Sequence, residues 1–281
     1  MADWEKRFQV ISGLKTRYIV AGDGPAVLLV HGLGACWAMW YENIESLSRY
    51  FTVYALDLPG HGESQNPPGR VYDIPTGAAF LGRFMDALKI ETASLVGNSA
   101  GGGMVAHLAL GSPQRVNHLV MVDSTGFGRP VSWFLRLASV PLLGEILSFR
   151  TIRSEDELLS SVLYRPRPLP YEAIRLLTAS RNRRSTRTRV TQAIRSGVTL
   201  LGLRRSLRLI PQLRSSSVPL LVVWGDQDRV FPVFHARLAA AELPGAVVHV
   251  MQDCGHWPHM EKPDEFNHLL VAFLNGRPQT L

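Results

Sequence analysis

The sequence predicts an α/β fold: a mostly parallel central sheet with helices on both faces and an inserted helical cap. Three observations predict it. Short, uniformly apolar runs alternate with helical patterns through the first third of the chain. The alternation stops between about Gly126 and Ser217, where helical segments and Pro-punctuated turns replace it, and then resumes to the C-terminus. Between an apolar run and a helical one stands the turn SLVGNSAGGGMV, Ser94 to Val105, which holds a serine among glycines and alanines.

The elements follow in order. RFQVISGLKTRYIVAG reads as two short strands around the Ser12–Gly13 turn. AVLLV, Ala26 to Val30, is apolar throughout, as a strand buried on both faces of a parallel sheet must be. FTVYALD, Phe51 to Asp57, is similar and ends at the Gly/Pro-rich loop LPGHGES. A helix is expected after Pro75, to about Lys89. SLVG is the next strand, AGGGMVAHLAL the next helix, and VNHLVMVD, Val116 to Asp123, the strand after it. Beyond the inserted segment, for which no strand is expected, VPLLVVWGDQD gives a strand, FHARLAAAEL a helix and AVVHVM a strand. Pro263 at a first helical position, followed by Asp264 and Glu265, starts a last helix. Its Phe266, Leu269, Leu270, Phe273 and Leu274 form one stripe. Alternating βα units imply a parallel sheet covered on both faces. The expected division is a core of residues 1–126 and 215–281, with a helical cap over 127–214.

Composition narrows the class. The 281 residues, 46% of them hydrophobic and 19% charged, can bury a large core, which excludes a disordered chain. The first residues, MADWEKRFQV, lack an apolar stretch of signal-peptide length, and no run reaches membrane-span length. Two cysteines, Cys36 and Cys254, are read as free thiols, and the expected location is the cytoplasm. The net charge of +7 is uneven: from Arg129 to Arg214 there are 17 arginines, no lysine and five acidic residues. Such a segment suits an anionic substrate, a membrane surface or a solvated helical face. Aromatics do not interleave with its basic residues, so no nucleic-acid partner is expected. SGVTLLGLRRSLRLIP, Ser196 to Pro211, is a basic amphipathic stretch; its reading as packed apolar residues with arginines in water is preferred to membrane contact.

The serine turn carries chemistry. Gly97-Asn98-Ser99-Ala100-Gly101 matches G-x-S-x-G between a strand and a helix. A chain that reverses this sharply forces the serine into strained dihedrals and leaves no room for a Cβ two residues before or after it. The reward is a hydroxyl at a helix N-terminus, which favours negative charge. A serine needs a base to take its proton. His256, in DCGHWPHMEKP just after the last strand, is the candidate, with His259 as runner-up. For the acid that orients the imidazole, Asp228 in WGDQDRVFP is preferred; Asp226 reads as a turn cap, and Asp123 is a third candidate. The oxyanion hole is expected from the N–H groups of Ala100 and Leu33, with Gly34 as the fallback. His31 is expected to tie down its loop. No metal motif is present, and neither a metal nor a cofactor is expected.

These residues resemble the α/β-hydrolase fold family. The segments HGLG, LDLPGHGES, GNSAGG, WGDQD and GHWPHMEKPDEF stand in that family's order and spacing along nearly the whole chain. The resemblance implies a Ser99–Asp228–His256 triad and the helical cap. A serine nucleophile does not look like haloalkane dehalogenases or epoxide hydrolases, which use Asp. Two branches are similar. In carboxylesterases the substrate is an ester. In meta-cleavage-product hydrolases a C–C bond of a dienoate is cut, residues matching Asn98 and Trp257 line the substrate site, and a cap arginine holds the substrate carboxylate. Arg183, Arg184 and Arg187 are the candidates for that arginine here. The loop HGLGACW departs from that branch's longer glycine run followed by proline. The expectation is therefore a small-molecule ester substrate, with a dienoate as the alternative and a catalytically silent binding protein a distant third. The resemblance leaves the oligomeric state open.

Overall fold

The computed structural model describes residues 4–67, 69, 73–149 and 154–276. β1 (Glu5–Ile11) and β2 (Leu14–Ala21) form an antiparallel hairpin around Ser12–Gly13, with Ile11 opposite Leu14. There follow β3 (Ala26–Val30), α1 (Tyr41–Ser48), β4 (Thr52–Leu56), α2 (Ile74–Ala87), β5 (Ala93–Asn98), α3 (Ala100–Gly111) and β6 (Val116–Val122). Asp73 starts α2, accepting the Thr76 N–H at 2.8 Å, with Pro75 in the first turn.

The inserted segment holds α4 (Trp133–Ala138), α5 (Leu143–Phe149), α6 (Glu155–Val162), α7 (Tyr171–Asn182), α8 (Arg184–Gly197) and α9 (Ile210–Arg214). It is not wholly helical. Two-residue strands β7 (Val198–Thr199) and β8 (Gly202–Leu203) form a small antiparallel hairpin, which corrects the expectation of no strand. So short a pair carries no period-2 pattern that a sequence could display. The chain then closes with β9 (Leu220–Gly225), α10 (Phe234–Glu242), β10 (Val247–Met251), α11 (Pro258–Glu261) and α12 (Pro263–Leu274).

The strands make one eight-stranded sheet, ordered β1-β2-β4-β3-β5-β6-β9-β10, antiparallel at β1/β2 and β2/β4 and parallel elsewhere. Its apolar runs serve two cores because successive side chains face opposite ways. Leu28, Val30, Leu95, Met121 and Val222 pack with α2, α3 and α10. Val27, Leu29, Val96, Val120 and Val223 pack with α1 and with the α12 stripe, Phe266 to Leu274.

Register sets up the site. Val30, Gly97, Met121 and Val222 lie side by side across β3, β5, β6 and β9. The residues that follow them therefore emerge at one rim, the carboxyl edge where α/β sheets place their ligands. His31, Ser99, Asp123 and Asp228 all lie beyond that row. Several arginines of the inserted segment bind it to the core or to itself: Arg167 to Glu42, Arg208 to Glu242, Arg195 to Glu145.

Candidate active site

Ser99 joins β5 to α3 with φ 57° and ψ −121°, a conformation an L-residue adopts only under constraint. The constraint is steric. A Cβ on Gly97 would meet the Gly101 carbonyl carbon at 2.5 Å, and one on Gly101 would meet the His31 carbonyl oxygen at 2.5 Å. The Ser99 N–H donates to the Val122 carbonyl at 2.9 Å, which fixes the turn against β6.

His256 and Asp228 meet across the rim. Asp228 Oδ2 lies 2.8 Å from His256 Nδ1, and both side chains are buried. Asp228 Oδ1 accepts the N–H groups of Val230 and Phe231 at 2.7 and 3.1 Å. With both its oxygens engaged, the carboxylate is held in alignment with the ring. An acceptor at that distance takes the Nδ1–H, which leaves Nε2 with its lone pair.

Ser99, Ala100, Leu33, Gly34, Asn98, His256 and Trp257 all border one cavity of about 770 Å³. Among the described residues, neither the Leu33 nor the Ala100 N–H donates to a backbone carbonyl outside regular structure, so both remain for a ligand. His31 anchors the Leu33 loop: its Nδ1 donates to the Gly32 carbonyl at 2.7 Å and its Nε2 accepts the Leu58 N–H at 2.9 Å. Burial lowers its pKa to about 4, so the ring stays neutral. His259 does not reach the cavity. It is buried, packed at a tilt against Trp40 at 4.2 Å between ring centroids, and pushed down to about 3 by burial. Asp226 braces the His256 loop by accepting the Cys254 N–H at 3.1 Å. Cys254 itself is buried, and burial pushes its thiol up to about 12, so it is inert.

The rest of the cavity wall comes largely from the inserted segment and is apolar: Trp133, Phe134, Ile146, Leu158, Val190 and Ile194 among others. Charged residues break it, Glu157 and Arg181 from the inserted segment and Asp73 and Arg229 from the core. Arg181 borders the cavity, its guanidinium against Gly34, in the space a Cβ there would need. Ser180 places it, since this buried hydroxyl donates to the Ala35 carbonyl at 2.9 Å and accepts the Gly62 N–H at 3.0 Å. No carboxylate pairs with Arg181 among the described residues. The expected arginines lie elsewhere: Arg183, Arg184 and Arg187 do not border the cavity, and Arg183 donates to the Gly62 carbonyl outside it. They are displaced because α7 ends at Asn182 and α8 starts a new direction at Arg184.

The sequence model of the alpha/beta hydrolase fold matches residues 25–263. The chain belongs to the α/β-hydrolase fold family. It is 35% identical over 277 residues to the dihydrolipoyllysine-residue acetyltransferase component of the acetoin cleaving system of Cupriavidus necator, covering 96% of this chain and 69% of that protein. It is 29% identical to a 2-hydroxy-6-oxo-6-phenylhexa-2,4-dienoate hydrolase of Comamonas testosteroni, covering 95% and 93%. A membrane phospholipase A described as a bacterial virulence factor superposes with a TM-score of 0.80 at 28% identity, covering 97% of this chain and 86% of that one.

Three residues support the site of this α/β hydrolase in ways its sequence does not announce. The Asn98 amide donates to the Val122 carbonyl at 3.2 Å and to the His256 carbonyl at 3.1 Å. Expected at the substrate, it borders the cavity but spends its N–H groups locking the His256 loop to β5 and β6. Buried Glu261 accepts the Gly255 N–H at 2.8 Å and those of Tyr164 and Arg165, while the His256 N–H donates to the Val162 carbonyl at 2.7 Å. The histidine loop is thereby pinned to the inserted segment. Asp123 is the third. Its oxygen, an Asp228 oxygen and a His256 nitrogen lie within 4.8 Å of one another. Burial first, and then the Asp228 charge, push its carboxyl well above the ordinary range. It accepts the Gly225 N–H at 3.0 Å, while the His256 Nδ1 contact is made by Asp228.

Proposed function

We propose that this α/β hydrolase is a serine hydrolase that cleaves carboxylic esters through an acyl-enzyme intermediate. The observation that carries the reading is the Asp228–His256 pair, its free ring nitrogen sharing a cavity with a serine on a strained strand–helix turn. His256 Nε2 takes the Ser99 proton as Oγ bonds to the ester carbonyl carbon. The N–H groups of Leu33 and Ala100 receive the oxyanion. Collapse breaks the C–O bond, and the alcohol leaves with the proton from His256. Water then repeats the sequence and frees the acid. The steps need neither metal nor cofactor. Ser99→Ala should lower kcat by about six orders of magnitude, and an organophosphonate should label Ser99 in the native chain only. A variant that keeps a tenth of the activity, or a native chain that stays unlabelled, would overturn the assignment.

A second reading is favoured by one observation, the Arg181 guanidinium, which pairs with no carboxylate among the described residues, at a largely apolar cavity that Arg229 also borders. A guanidinium placed there suits a substrate carboxylate. The Comamonas relative's name describes a dienoate hydrolase, in which a C–C bond is cut. Turnover of a 2-hydroxy-6-oxo-dienoate beside p-nitrophenyl esters of graded length separates the two. Dienoate turnover exceeding that of every ester would replace the first reading with the second.

A further inference from the structure

The β7–β8 hairpin projects the two turn residues Leu200 and Leu201 into solvent, 58% and 75% exposed. Single exposed leucines are ordinary, but this pair is presented on a rigid support. Leu201 N–H donates to Thr199 Oγ1 at 3.2 Å, and that hydroxyl donates to the Gly202 carbonyl at 3.0 Å. The base is tied to the body by Leu203 N–H to the Arg129 carbonyl at 2.9 Å and Arg204 N–H to the Gly197 carbonyl at 2.8 Å. Gly202, at φ 104°, sits so close to the Arg129 carbonyl that no Cβ fits. The hairpin's inner residues, Val198 and Leu203, are buried and border the cavity; the turn residues face away from it.

Charge surrounds the prong. Arg129, Arg204 and Arg205 flank the two leucines in one shallow depression. Other arginines of the inserted segment pair with carboxylates, but no ion pair takes up these three among the described residues. α4, which packs against β7, adds Trp133, 72% exposed, beside the cavity. Arg129 and Arg204 each donate to a backbone carbonyl, of Leu203 and Arg195, but their charges stay uncompensated, and an apolar prong ringed by such guanidinium groups complements one surface in particular: hydrocarbon beneath a layer of negative headgroups.

We propose that the Leu200–Leu201 hairpin and its arginine collar dock this protein on an anionic lipid bilayer, with the leucines entering the interface and Arg129, Arg204 and Arg205 meeting lipid phosphates. None of Leu200, Leu201, Arg204 and Arg205 borders the cavity, so docking is separable from the chemistry. The test is flotation of the full chain with phosphatidylcholine vesicles, with and without phosphatidylglycerol, at low and high salt. The expected result is binding that needs phosphatidylglycerol and falls with salt. Leu200→Ser/Leu201→Ser should lower partitioning at least about tenfold, and Arg204→Gln and Arg205→Gln about fivefold each. Turnover of a short soluble ester should be unchanged in all of them. Failure of the native chain to float with phosphatidylglycerol at low salt overturns the proposal, as does undiminished flotation of the leucine variant. Light scattering that shows a native dimer split by the leucine substitutions, without vesicle binding, would assign the prong to a second copy of the chain and overturn it as well.

Discussion

Replacing Arg181 by Met tests whether the cavity is built for an anion. Met keeps the apolar stem and its packing near Gly34 while deleting the charge. The guanidinium has no carboxylate partner to strand, so the variant leaves no new unpaired acid behind. An anion at about 4 Å gains about 4 kcal/mol at an effective dielectric constant of about 20. Part of that is lost again to desolvation, and removing one partner of such a pair costs about 2–5 kcal/mol. Arg181 is only half-buried and the cavity opens to solvent, so the lower part of that range applies. The expected loss in kcat/KM is about 30- to 300-fold for an anionic substrate. The assay compares p-nitrophenyl butyrate with a p-nitrophenyl hemiester of a dicarboxylic acid, and with the dienoate. The neutral ester should change less than about threefold, because Arg181 touches nothing in the Ser99–His256–Asp228 arrangement. Equal losses on neutral and anionic substrates would refute the reasoning and make Arg181 a packing residue of the Leu33–Gly34 loop.

Three further expectations follow from the geometry. Asp228→Asn should lower kcat by about four orders of magnitude, while Asp226→Asn, whose oxygen can still accept the Cys254 N–H, should lower it only a few-fold; the opposite ranking in ester hydrolysis would move the acid role. Asp123 has a folded-state pKa raised above its unfolded value of about 3.8, so the stability it contributes is complete below that pH and declines as pH rises. Asp123→Asn should therefore melt with the native chain at pH 4 and above it at pH 8, and a lower melting temperature at pH 8 would refute the upward shift. His259 has the reverse sign: its folded-state pKa is depressed to about 3, so stability present above about 6.5 is lost as pH falls toward 3. Both its ring nitrogens lack partners among the described residues, so His259→Phe should add about 1 kcal/mol at neutral pH and flatten the acid side of the melting profile; a variant as acid-labile as the native chain would count against this.

The residues legible in the sequence are those placed by local backbone rules. Gly97 and Gly101 announce Ser99 because the turn has no room for a Cβ, and apolar runs fix where β3, β5, β6 and β9 end. Asp228 follows from the end of β9 and His256 from the end of β10, since each stands a short loop beyond its strand. Arg181 was not legible among 17 arginines by charge alone, but a pattern was present. Ile174 and Leu177 are buried on α7, and position 181 continues their stripe, so a charge stands where the helix faces inward. Arg183, Arg184 and Arg187 fall beyond the break between α7 and α8, where that periodicity restarts. Glu261 had no local signal for its role, because two of its partners, Tyr164 and Arg165, lie in another layer of the fold.

That last dependence changes what the inserted segment is for. A roof alone would need only apolar residues toward the cavity. Here the backbone N–H of the candidate base donates to Val162, and the neighbouring Gly255 N–H shares the Glu261 carboxylate with Tyr164 and Arg165. Three hydrogen bonds thus link the loop that aims His256 to the segment that shapes the substrate space, while Asn98 links the same loop to the strand that carries Ser99. Any shift of the segment around a substrate must strain or release these bonds. The orientation of the His256 loop and the shape of the cavity are therefore one mechanical property of this fold.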